Sequence, residues 1–60
     1  MTAKQFRTVL ADLNLPQRQL ALRLRVSVTT VNAWARGRRA VPAAVALLLE
    51  CWRRAGVPPK

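Results

Sequence analysis

The sequence has no histidine, no tyrosine, one cysteine and two acidic residues, Asp12 and Glu50. Each scarcity removes a class of function. With no histidine and two scattered carboxylates, no acid–base pair can be assembled, and Cys51 on an apolar stretch has no base to activate it. An enzyme is therefore not expected. One thiol and two acids make no zinc shell, so neither a metal nor another cofactor is expected. A single cysteine rules out an internal disulfide. The N-terminus, MTAKQFRT, lacks the apolar stretch of a signal peptide. The longest apolar run, Ala43 to Leu49, is too short to span a bilayer. A lone thiol without an export signal points to the cytoplasm.

What the chain does have is positive charge: eleven Lys and Arg against two Asp and Glu, a net charge of +9. A field of that sign draws polyanions. Nucleic acid is the leading partner, ahead of an acidic protein or an anionic membrane. Sixty residues make one domain, with residues 56–60 (GVPPK) read as a flexible tail. So short a chain hides little surface, and self-association is the expected extra support.

Hydrophobic spacing predicts an all-α, four-helix domain. The first helix is expected from Ala3 to Leu13, with Thr2 as N-cap and Phe6, Val9, Leu10 and Leu13 on one face. Asn14 closes it, and Pro16 suits the first turn of the next helix. That second helix runs to Arg23 or Leu24, with Leu20, Ala21 and Leu24 inside and Arg18 and Arg23 pointing out. Ser27 caps a third helix from Val28 to Arg36, and Gly37 closes it. Its β-branched residues lower helix propensity, so packing must hold it. Pro42 falls in the first turn of a fourth helix that ends near Ala55, with Gly56 as its stop.

The third helix has two unlike sides. At about 100° per residue, with Val28 taken as zero, Asn32 lies near about 40°, Arg36 about 80°, Thr29 about 100° and Ala33 about 140°. Thr30, Trp34 and Val31 fall on the opposite arc. One side is apolar and aromatic and packs inward. The other is small, polar and mostly uncharged, yet framed by arginines. Such a surface fits the floor of a DNA groove. Hydroxyls and an amide bond base edges there, Val28 or Ala33 touches a thymine methyl, and the arginines meet the phosphate walls.

The run QRQLALRLRVSVTTVNAWARGRRAVP resembles the helix-turn-helix of the Cro and lambda-repressor-like family. The matching residues are Gln17, Leu20, Ala21, Leu24, Val26, Ser27, Thr30, Val31, Trp34, Gly37, Arg38 and Pro42. Ala21 and Val31 stand ten apart, the family spacing at which the small residue receives the β-branched one. Three departures stand out. The family's turn glycine is Arg25 here, so either this residue carries strain of about 1 kcal/mol or the turn differs. The fifth helix is missing or replaced by the tail. Val28 and Ala33 stand where many relatives carry polar readers.

The resemblance implies a role for each matching position. Val28, Thr29, Asn32 and Arg36 would contact bases in the major groove. Gln17, Arg18, Ser27, Arg38 and Arg39 would contact the DNA backbone. Thr30 is read as structural rather than as a reader. Ser27 has an N-cap duty of its own, Arg36 a helix-end charge duty, and Arg23 and Arg25 stay open between solvent and phosphate.

The fourth helix carries a second inference. Val45, Leu48, Leu49 and Trp52 form the stripe that closes the core. Ala44, Leu47 and Cys51 form another beside it, more apolar surface than a 60-residue monomer can cover. A two-fold homodimer is expected, with Val41, Ala44, Leu47, Leu48 and Cys51 at the interface. Its two third helices would lie about 34 Å apart, matching an inverted-repeat operator on double-stranded DNA. The resemblance further implies a small repressor acting on a promoter, its own included, of phage or plasmid type. No small-molecule ligand is expected. Two other functions fit part of the pattern: an antitoxin-type helix-turn-helix protein that also binds a protein partner, and a cationic membrane-active peptide. No toxin-binding extension is visible, and Gly37, Pro42 and the two tryptophans predict a fold formed in water.

Overall fold

The first helix begins with a reciprocal cap. Thr2 Oγ1 accepts the Gln5 N–H at 3.1 Å, while Gln5 Oε1 accepts the Thr2 N–H at 2.8 Å. From this start a computed structural model, which describes residues 1–58, places four helices in order: α1 (Ala3–Asp12), α2 (Gln17–Leu24), α3 (Val28–Arg36) and α4 (Ala43–Ala55). No strand occurs among the described residues, so the fold is all-α.

The breaks between helices follow from local backbone chemistry. Asn14 takes a left-handed φ of 52°, which asparagine tolerates better than most side chains. Pro16 and Pro42 differ from expectation: each sits one residue before its helix, as the N-cap, with ψ of 151° and 145°. Proline fixes only φ, and extended ψ leaves the helix to begin at the next residue.

Phe6, Val9, Leu10, Leu20, Ala21, Val31, Trp34, Leu49 and Trp52 are buried, as their spacing predicts. Leu13, Leu24, Val45 and Leu48 are half-buried against them. Phe6 meets Trp34 edge to face, with centroids 6.0 Å apart and planes at 83°. That contact joins α1 to α3. Removing the Phe6 ring would cost about 3–5 kcal/mol, comparable to the whole stability of a domain this small, at about 0.1 kcal/mol per residue.

Two buried residues escaped the sequence pattern. Leu15 lies in the α1–α2 connection and turns inward, its N–H held by Leu10 O at 2.9 Å. Ala35 is buried although it falls beside exposed Val28 on the α3 wheel. The reason is that α1 lies across the last turn of α3, where Ala3 Cβ comes within 3.5 Å of a Cβ built on Gly37.

Arg23 is a further correction. It does not simply point out: its guanidinium lies 5.8 Å from the Trp52 ring centroid, and its Nε is buried without a hydrogen-bond partner. The indole face attracts the cation and replaces part of its hydration. The tail needs correcting as well. Val57 packs against the core, while Pro59 and Lys60 lie outside the described residues.

Candidate nucleic-acid interface

The turn between α2 and α3 is three residues long, and its geometry sets the angle between the two helices. Arg25 takes φ 57° and ψ 42°, the left-handed conformation that a glycine would adopt without strain. The Val26 N–H reaches back to Ala21 O at 3.1 Å and closes the end of α2. Ser27 then starts α3, its Oγ accepting the Thr30 N–H at 3.1 Å. The two hydroxyls, Ser27 Oγ and Thr30 Oγ1, also bond each other at 2.9 Å. The structural duty read for Thr30 is thus visible as a bond.

Beyond this cap, α3 presents two sides. Val31, Trp34 and Ala35 are buried. Val28 is 48% exposed, and Thr29 and Arg36 are exposed. Asn32, on the same arc, is half-buried. Its Nδ2 donates to Gln17 Oε1 at 3.3 Å, a partner that the sequence gave no reason to expect. Gln17 is the first residue of α2, so this bond ties the start of α2 to the middle of α3.

The residues expected to meet phosphate surround this arc. Arg18 stands exposed in the first turn of α2, and Ser27 at the cap of α3. Gly37, at φ 78°, ends α3, and the Arg38 N–H returns to Ala33 O at 2.9 Å. This closure aims the loop so that Arg38 and Arg39 emerge exposed beside the C-terminal end of α3. Neither α2 nor α4 has a side-chain cap at its N-terminus. Their first N–H groups therefore remain available to an outside acceptor.

Charge is distributed unevenly. Both acids stand on α1 and α4, where Arg53 meets Asp12 at 3.1 Å and Glu50 at 3.7 Å. These pairs are half exposed and contribute little stability. Their effect is on the field: from Gln17 to Pro42 the chain carries Arg18, Arg23, Arg25, Arg36, Arg38 and Arg39 and no acid.

One side chain that holds the site was not foreseen. Arg7, on α1, donates from a terminal guanidinium nitrogen to the carbonyl of Ala35. A cation at a helix C-terminus satisfies an orphan acceptor and opposes the negative end of the helix dipole. Arg7 thereby holds the last turn of α3, as Gln17 holds its middle.

The residues expected at a dimer interface lie on one side of α4. Leu47 is 71% exposed, Ala44 and Cys51 are exposed, and Val41 and Leu48 are half-buried. Leu48 also packs on the core. No helix among the described residues is long and apolar enough to cross a membrane.

The helix-turn-helix family profile matches residues 4–51, most of the chain. No curated protein and no solved structure matches it. With α2, the left-handed turn and α3 in this arrangement, the chain belongs to the lambda-repressor-like helix-turn-helix family of DNA-binding transcription regulators.

Proposed function

We propose that this chain acts as one domain and, as a homodimer, represses transcription by occupying an inverted-repeat operator. The observation that carries this is the division of α3. Trp34 and Val31 are sealed in the core, while Val28, Thr29, Asn32 and Arg36 face away from it. In the bound state that outward side enters the major groove and contacts base edges. Gln17, Arg18, Ser27, Arg38 and Arg39 take the flanking phosphates. The uncapped starts of α2 and α4 add backbone N–H donors and a favourable dipole.

The dimer is assigned to α4 because Leu47 exposes a large apolar side chain there, with Ala44 and Cys51 beside it. The protomer measures 28 × 19 × 19 Å. Two side by side have centres closer than the roughly 34 Å between successive major-groove faces. The spacing therefore requires each α3 to sit outward of its protomer's centre. This agrees with α4 packing mainly on α1, while α3 packs on α1 and α2.

Affinity is dominated by phosphate neutralisation. With roughly six to ten phosphates met per dimer, binding weakens by orders of magnitude between low and moderate salt. Enrichment of bound duplexes from a random pool tests the proposal. A recurrent inverted repeat with half-sites about one helical turn apart is expected. An enriched site without two-fold symmetry would refute the dimeric operator, and no enrichment would refute sequence reading altogether.

A further inference from the structure

We propose that α3 recognises the 5-methyl group of a pyrimidine in the major groove, and that Val28 is the residue that reads it. The inference rests on α3 being the base-facing helix and concerns what that helix reads. Most hydrogen-bonding groups near its leading turn are already engaged. Ser27 Oγ and Thr30 Oγ1 bond each other at 2.9 Å, and Ser27 Oγ also takes the Thr30 N–H. Asn32 spends an amide N–H on Gln17.

What projects forward from that turn is apolar. Val28, the first residue of α3, leaves 48% of its surface in water, and Val26 in the turn leaves 37%. Thr29, exposed beside Val28, adds a γ-methyl to its hydroxyl. A valine at this place serves no local need. It is a poor helix former, it makes no cap, and the core does not cover it.

The only apolar group that a base pair offers in the major groove is the methyl on pyrimidine C5. Thymine always carries it, and cytosine carries it when methylated. An isopropyl group against that methyl removes both from water. The Thr29 hydroxyl, the Asn32 carbonyl oxygen and Arg36 remain to orient the contact.

The test uses the full chain and the duplex it enriches from a random pool. That duplex is remade with deoxyuridine replacing one thymidine at a time, which deletes a single methyl and keeps the pairing. Affinity should fall about fourfold at one or two thymines in each half-site and stay level elsewhere. Val28→Ala, whose folding is checked by its melting curve, should bind the thymine and uracil forms of those positions alike.

Cytosine and 5-methylcytosine, paired with guanine at the same positions, separate the two sources. A gain on methylation means that either base serves, and no gain confines the site to thymine. Uracil tolerated at every position of an enriched site would overturn the inference and leave DNA reading intact, as would an unchanged thymine preference in Val28→Ala. Failure to enrich any duplex would overturn DNA reading and this inference together.

Discussion

Asn32 and Gln17, fifteen residues apart in sequence, are joined side chain to side chain, with Asn32 Nδ2 donating to Gln17 Oε1 at 3.3 Å. The bond makes one unit of a residue proposed to face bases and a residue proposed to face phosphate. With Asn32 held, its remaining donor and its carbonyl oxygen point in a set direction before DNA arrives. Preorganisation of this kind lowers the ordering cost of binding.

Asn32→Ala should weaken binding to an enriched duplex by about 1–3 kcal/mol and leave binding to random DNA nearly unchanged. Gln17→Ala should lose part of the same energy. The double variant should lose less than the sum of the two, because each substitution removes the shared bond. Titrations of the four proteins on both DNAs measure the coupling, and additive losses would mean that the two residues act separately.

Arg7→Met keeps the aliphatic stem and deletes the donor to Ala35 O. A hydrogen bond from a charged group to a part-buried carbonyl is worth about 1–2 kcal/mol. The melting temperature should drop by roughly 4–8 °C for each kcal/mol lost in a domain of this size. Arg7→Lys should recover part of the loss. A thermal melt followed by circular dichroism decides the matter.

Arg25→Gly should stabilise the fold. Arg25 occupies φ 57°, a conformation disfavoured for a residue with a Cβ by about 1 kcal/mol. Glycine relieves that strain and gives part of the gain back through a more flexible unfolded chain. A net gain of about 0.5 kcal/mol, seen as a melting temperature a few degrees higher, is expected. A lower melting temperature would show that the arginine side chain contributes more than its backbone costs.

Leu47→Glu should leave the protomer folded, because the side chain is 71% exposed, and should abolish self-association. Sedimentation of the wild type should give two copies per particle and that of the variant one. The variant should also lose most of its affinity for a two-half-site duplex while keeping weak binding to a single half-site. Identical sedimentation of the two proteins would move the interface elsewhere.

The helices were legible because their signals are local. Thr2 and Ser27 cap as expected, Gly37 closes α3, and the buried stripes follow helical spacing. The positive φ at Arg25, where relatives carry glycine, was foreseen as one of two possibilities and is the one adopted. What stayed hidden depends on packing between helices. Ala35 is buried because α1 crosses the end of α3, and no single-helix wheel contains that fact. Arg23 was assigned to solvent because arginine usually belongs there; only the approach of α4 brings Trp52 beneath its guanidinium. Asn32 lay on the expected outward arc, but its bond to Gln17 needed the angle between α2 and α3. In each case the missing information was the relative placement of two elements.

The central claim is that the outward side of α3 reads bases, and the ratio of two affinities tests it most directly. The full chain is titrated at about 0.15 M salt against its enriched duplex and against a scrambled duplex of equal length and composition. The account predicts that the enriched duplex binds at least about a thousandfold more tightly, the lower bound for specific regulators. Equal affinity for the two would mean that positive charge alone holds the DNA, and would contradict it.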